Sequence, residues 1–315
     1  MSKNSTFSSQ DNDFTKLARK ARRKTYIRTF LISLFVSLLV IFSLYTLTQY
    51  RLRIVNDYMT RIEGRWDLIQ GANINGAEST ISFNLLSYNK STSYNKILSN
   101  KPVPWKKVTR SYNVFGKQRT VPGGGIRGYG PIVSGRMQMY LDGNRVLDFY
   151  HPFNEYHSLA NDFQLLDKIS DDKILEIAVS FTKSISIDEV KNIFKDDRLA
   201  WLWVNTETKE EVQRKQKEQY GDFDYVVSGE QAIGFQKDAE GNFINALKFL
   251  SEKESSQYEI SKVINNITNK NSEELSVDNL EINGVVLTGS PSELKEYIDI
   301  PIIRASTLGV ITERY

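Results

Sequence analysis

The 315-residue sequence has no cysteine, so it can form neither a disulfide nor a cysteine-bearing zinc site. Its two histidines, His151 and His157, lie six residues apart on a proline-containing segment with Glu155 between them. That spacing suits no metal-ligand pattern, and both are expected to be turn residues. Catalytic motifs are equally scarce, since neither G-x-S-x-G nor H-E-x-x-H occurs. Ser180 and Lys183 match S-x-x-K, but Ser180 closes a predicted strand instead of opening a helix, and the Ser-Asp-Asn and Lys-Thr-Gly partners of that motif are missing. Val121 to Gly135 holds six glycines around Arg127 without the spacing of a phosphate-binding loop, and is expected to be a flexible loop. The expectation is a protein with no catalytic, metal or cofactor residues, and not an enzyme.

Charge is also missing from one long stretch. No residue from Thr29 to Tyr50 is ionisable at neutral pH, and as a helix these 22 residues would run roughly 33 Å against a hydrocarbon core of about 30 Å. A cleavable signal peptide has a shorter apolar region and a small-x-small site after it, whereas this run ends SLYTLTQYRLR. An uncleaved transmembrane helix over 29–50 is therefore expected.

The net charge of +3 conceals an asymmetry. Residues 1–28 carry eight basic and two acidic side chains, and the rest of the chain is slightly acidic. Nothing marks the main domain as a nucleic-acid binder. Lys16 to Arg28 has seven basic residues and no acid, while Arg51 to Asp67 has four basic and three acidic ones. The positive-inside rule then puts residues 1–28 in the cytoplasm and everything beyond the span outside, in a single-pass protein of the cell membrane. Arg19, Lys20, Arg22, Arg23, Lys24 and Arg28 set that topology and face anionic lipid.

Phe14, Leu17, Ala18, Ala21 and Thr25 fall on one helical face, with Asp13 a suitable N-cap. Phe14, Leu17, Ala18 and Ala21 are the candidate partner-binding residues. After the span, Leu52, Val55, Met59, Ile62 and Trp66 alternate steps of three and four, which predicts a helical stalk over 51–70 that Gly64 and Gly71 bring to an end. The stripe can pair with a second copy or pack on the outer domain, and packing is the expectation.

Residues 71–315 read as an α+β extracytoplasmic domain. The stretch 71–135 is polar, Tyr-rich and turn-rich; Leu85–Tyr94 is poorly patterned, and Pro102 and Pro104 interrupt the segment after it. From Arg136 the pattern sharpens into a hairpin turning at Asp142-Gly143-Asn144. Ile174–Phe181 and Leu199–Val204 read as strands around a helix opened by the capping box Ser186–Glu189. Ile282–Thr288 and Ile302–Ile311 repeat the plan around Ser290–Glu293 with Pro291 at the first helical position. The expectation is two βαβ-like units in a mixed sheet, helices mainly on one face. Lys209–Tyr220 is a charged stretch, Asn242–Leu250 a helix and Asn265–Val277 a polar loop.

These motifs carry a resemblance. LARKARRKTYIRTFLISLFVSLLV resembles the N-terminal module of the membrane-anchored sigma factor regulators (anti-sigma factors) of Gram-positive bacteria. DFYHP at 148–152, LEIAVSF at 175–181, IDEVKNIF at 187–194, LAWLWV at 199–204, INGVVLTGSPSELKEYI and the final ASTLGVI resemble their C-terminal domain. The resemblance covers 14–50 and about 135–315. It implies that the cytoplasmic segment binds an extracytoplasmic-function sigma factor and that the outer domain senses the envelope or holds a second membrane protein. No catalytic residues carry over. Because 28 residues precede the span and the zinc-binding Cys/His motif of other anti-sigma factors is absent, sigma binding would use a peptide-like helix. The alternative is an anchored extracytoplasmic binding module with no sigma binding of its own.

Overall fold

The computed structural model of the protein describes residues 6–121, 127–133, 136–219, 223–268 and 274–314. Its first element is one unbroken helix, α1 (Thr6–Trp66), of 61 residues. At 1.5 Å per residue it is roughly 90 Å long. Its N-terminal boundary differs from the expected one, because Asp13 lies inside the helix and does not cap it. Nor does Gly64 end it. A glycine in the last turn costs only about 1 kcal/mol of helix propensity, and the turn at Gly71 (φ +99°) and Asn73 (φ +54°) is what redirects the chain. Within α1 lies a stretch long and apolar enough to cross a membrane, with none of that stretch buried against the rest of the protein.

Beyond residue 50 the helix changes character. Leu52, Val55 and Ile62 are buried, and Met59 and Trp66 pack beside them. The apolar stripe of the stalk thus lies against the chain's own domain and not against a second copy. Leu52, Val55 and Met59 are covered by a four-stranded antiparallel meander, β1 (Ile74–Phe83), β2 (Ser87–Leu98), β3 (Lys101–Asn113) and β4 (Gln118–Val121), while Ile62 and Trp66 join the core of the main domain. Tyr88 of β2 and Tyr112 of β3, stacked at 5.1 Å, close over Leu52 and Val55. Pro102 and Pro104 do not interrupt β3. They lie on the part of it that β4, paired only to Thr109–Tyr112, does not reach, where a missing N–H is tolerated.

Of the glycine-rich stretch, residues 122–126, 134 and 135 lie outside the described residues. Arg127–Val133 forms strand β5, paired with β6 (Arg136–Leu141), so this part is strand where a flexible loop was expected. β6 turns through Asp142 (φ +49°) and Gly143 (φ +82°) into β7 (Asn144–Arg145), two left-handed residues as a type I′ hairpin requires. Next come β8 (Asp148–Phe149), β9 (Lys173–Ser186), α2 (Ile187–Ile193), β10 (Leu199–Val204) and α3 (Lys209–Lys217). They are followed by β11 (Val227–Ser228), β12 (Gly234–Gln236), α4 (Glu240–Ser251) and α5 (Gln257–Ile267). The chain closes with β13 (Glu281–Gly289), α6 (Pro291–Leu294) and β14 (Ile303–Glu313). Both expected capping boxes are present: the backbone N–H of Ser186 donates to Glu189 at 2.9 Å and that of Ser290 to Glu293 at 2.8 Å.

The main sheet has the order β12-β10-β13-β9-β14, and every neighbouring pair is antiparallel. The mixed sheet expected from the sequence is therefore corrected. β9 and β10 run parallel but β13 lies between them, and β13 and β14 run parallel with β9 between them. Interleaving makes each strand the antiparallel neighbour of a strand from the other stretch, which is the strand order of a split, ferredoxin-like arrangement. One face buries Leu175, Ile177, Val179 and Phe181 of β9 under α2, α4, α5 and α6. The opposite face holds Ala178, Val286, Trp201 and Trp203, covered by Leu147 and Phe149 of the β7–β8 segment and by Ala72.

That second face also holds a charge. Glu176, fully buried on β9, accepts Lys96 Nζ of β2 at 2.6 Å, Asn73 Nδ2 at 3.2 Å and the backbone N–H of Val310 at 3.2 Å. Lys96 is 2% exposed, reaches the carbonyl of Ala72 at 3.3 Å and lies 4.5 Å from the centre of the Trp105 ring. Gly309 makes room for this cluster, since a Cβ there would come within 2.5 Å of Glu176 Oε1. Removing one member leaves the other charged and buried, which typically costs about 3–5 kcal/mol, whereas replacing both with uncharged groups costs far less. Lys96→Met and Glu176→Gln should each lower the denaturation midpoint of the full chain in detergent by that order. The double variant should be more stable than either single one, and equal or additive losses would contradict the pairing.

Candidate functional site

Phe14, Leu17, Ala18 and Ala21, predicted to bind a partner, are all exposed on α1, Phe14 at 76% and Leu17 at 66%. Steps of three, one and three put them on one face of the helix. Arg19, Lys20, Arg22, Arg23, Lys24 and Arg28 share the same exposed stretch. From Ala21 to Leu38, the first residue of α1 to share a groove with the domain's turns, is about 25 Å of helix. The structure thus groups the predicted residues with one another and away from the folded domain.

A second site has no counterpart in the sequence expectations. Where α1 ends, it and the meander enclose a cleft of about 460 Å³. The helix contributes Met59, Ile62, Glu63, Trp66 and, just past its end, Asp67 and Gln70, all on one face. The meander contributes Tyr94 from β2 and Lys106, Val108, Arg110 and Tyr112 from β3. A bulge opposite Tyr94 and Asn95 puts both Trp105 and Lys106 on the inner face of β3. Glu63 is the hub: it accepts Lys90 Nζ at 2.7 Å, pairs with Arg110 at 3.3 Å and accepts a hydrogen bond from the Tyr112 hydroxyl. Tyr112 is held above the ordinary phenol range by burial and by the Glu63 carboxylate. Asp67 accepts the Tyr94 hydroxyl at 3.2 Å, and burial pushes its carboxyl above the usual carboxylate range.

The far wall of the cleft belongs to the main domain. Glu230, between β11 and β12, accepts Lys106 Nζ at 2.6 Å and the Trp105 indole N–H at 3.3 Å. Behind it, residues 69–72 are strapped to the same segment by main-chain hydrogen bonds, Gly71 N–H to Ala232 O (3.0 Å), Ala72 N–H to Gly229 O (2.7 Å) and Gly234 N–H to Ile69 O (2.9 Å). Gly234 also pairs with Trp203, which carries the strap into β10. Only backbone fits there, because a Cβ on Gly234 would lie 2.0 Å from the Leu202 carbonyl oxygen. Helix, meander and main sheet therefore meet around one cleft with no free linker between them. The one sequence signal that could have pointed here is Glu63, which follows Ile62 on the edge of the stalk's apolar stripe.

The two histidines do other work. His151 is buried against Trp203, accepts the Phe153 N–H at 3.3 Å, and is pushed down to about 3 by burial with Lys215 and Arg304 adding to the effect. His157 Nδ1 meets Asp224 at 2.9 Å. Ser180 is buried on β9, where its hydroxyl oxygen accepts the Tyr150 N–H at 2.9 Å. Among the described residues no cluster of three or more His, Asp or Glu could hold a metal.

The chain thus joins an α+β domain, without a free linker, to a helix that holds a candidate membrane span. Residues 166–310 match the model of the sigma factor regulator C-terminal family. The match runs from the short helical turn before β9 into β14, leaving α1 and the meander outside it. No curated protein and no solved structure matches the chain.

Because the folded pKa of Asp67 is raised, its burial is best tolerated in acid, and stability is lost as pH rises from the unfolded value of 3.8 through the folded one. Asp67→Asn keeps an oxygen for Tyr94 and removes the charge. It should raise the thermal midpoint at pH 7, with a gain that shrinks as the pH falls toward 4. A variant less stable than the parent at pH 7 would mean that the carboxylate is compensated within the cleft.

Proposed function

We propose that the protein is a membrane-anchored regulator of an extracytoplasmic-function sigma factor, with residues 1–28 in the cytoplasm and the domain beyond the span outside the cell. On this reading the exposed face of Phe14, Leu17, Ala18 and Ala21 binds the sigma factor, and the basic residues from Arg19 to Arg28 hold that face at the lipid surface. The outer domain reads the envelope, directly or through a second membrane protein, by non-enzymatic binding. The observation that carries the proposal is the continuity of α1 from Thr6 to Trp66, with its last turns built into the cleft. A change at Glu63 or Asp67 can then move the far end of the same rod. The regulatory class of the matched family supports the reading.

The anchored-module alternative makes the opposite prediction for one variant. Phe14→Ser, Leu17→Ser and Ala21→Ser together, with every basic residue retained, should release a sigma factor that co-purifies with the full chain and raise transcription of its regulon. Membrane levels of the protein should not change. An unchanged regulon with no co-purifying sigma factor in the parent protein would reject sigma binding and leave the anchored module.

A further inference from the structure

The turns of the meander place large apolar side chains beside the span. The β1–β2 turn carries Leu85 and Leu86 just after Phe83 closes β1, and the β3–β4 turn carries Phe115. Leu85 is 62% exposed, Leu86 60% and Phe115 86%, the last among the most exposed of the domain's large apolar side chains. Leu85 and Leu86 lie in one apolar groove with Leu38, Ile41, Phe42, Leu44, Tyr45 and Thr48 of α1. Ile41 precedes Tyr50 by nine residues, so the tip reaches roughly 10 Å or more along the helix past the end of the uncharged stretch.

Several polar groups of these turns have partners within the protein, as an apolar solvent demands. Asn84 N–H donates to Ser87 O at 2.7 Å, and its carbonyl accepts the Gln49 side-chain amide at 2.9 Å. Val114 N–H donates to Leu86 O at 3.2 Å, which ties the two turns together, and its carbonyl accepts Arg51 Nε at 3.3 Å. Asn113 Oδ1 accepts the N–H groups of both Phe115 and Lys117 at 3.0 Å. Gln49 and Arg51, the first strongly polar side chains at the end of the span, are thus fastened to the turns.

We propose that these two turns are a second membrane contact, with Leu85 and Leu86 seated among the acyl chains of the leaflet on the domain's side and Phe115 nearer its headgroups. The occupant is lipid because the patch is continuous with the uncharged face of α1 and reaches its depth. The contact holds the domain at a set height and rotation on the membrane, so that bilayer thickness or lateral packing acts on the meander as well as on the helix. The proposal rests on reading residues 29–50 as a membrane span, and its test separates the two.

The chain has no cysteine, so one can be introduced at a time and labelled with an environment-sensitive fluorophore. Leu86→Cys is compared with Val36→Cys within the span and Glu78→Cys on the exposed edge strand, all in the full chain in lipid vesicles. All three positions are exposed and leave the core intact. Labels at 36 and 86 should both lose most of their emission to nitroxides carried on the acyl chains and resist aqueous iodide, while the label at 78 behaves oppositely. A label at 86 that follows 78, with 36 still quenched by lipid, overturns the wedge and leaves the span. A label at 36 open to iodide overturns both. Disulfide-linked dimers of unlabelled Leu86→Cys at high lipid dilution would put a second copy on the tips and also overturn the proposal.

Discussion

A lysine and a glutamate, both shut away from water, join the two sheets of this protein. Lys96 comes from the meander and Glu176 from β9, an inner strand of the main sheet, and no other charge pair between the sheets is so deeply buried among the described residues. Two such charges are costly to desolvate and stable only while they stay together with their hydrogen bonds. The pair therefore fixes position more than it adds stability. Asn73, held in a left-handed conformation by the turn after α1, donates to the same carboxylate. Gly309 on β14 leaves the space it needs. The end of the membrane helix, the meander and two strands of the main sheet are brought to one point.

This joint ties the cleft above it into the same body. Its walls come from three parts of the chain, and each part is fastened to the next by charge pairs or main-chain hydrogen bonds. Glu63 is bound by three groups from the meander, and Glu230 by two more. A ligand, a partner or a change in lipid that disturbs these contacts acts on the helix itself, because no flexible segment intervenes. A helix that enters a domain through its core can tilt or rotate only with that domain.

The parts of the fold legible in the sequence were those governed by apolar periodicity and local caps. The uncharged run, the strands LEIAVSF and LAWLWV, and the capping boxes at Ser186 and Ser290 all follow local rules. The meander was hidden for a physical reason. β2 alternates buried and half-buried positions along its length, but its buried phase reads Tyr88, Lys90, Thr92, Tyr94, Lys96 and Leu98. Two lysines occupy inward positions because Glu63 and Glu176, distant in sequence, neutralise them. The bulge in β3 then shifts the alternation by one residue, which removes the remaining period-two signal. Strand order was equally out of reach, since a continuous apolar run does not state which strand will lie beside it. The stripe of Phe14, Leu17, Ala18 and Ala21 follows from helical spacing alone, while the cleft depends on pairings more than 25 residues apart.

The central claim is that the end of the membrane helix, the meander and the main sheet form one cooperative body through the Lys96–Glu176 joint. Amide hydrogen exchange of the full chain in lipid, parent against Glu176→Gln, tests it most directly. The account predicts faster exchange at once in β2, in the strap at 69–72 and in β9, β13 and β14. Faster exchange confined to β9 and its two sheet neighbours, with β2 and the strap unchanged, would contradict it.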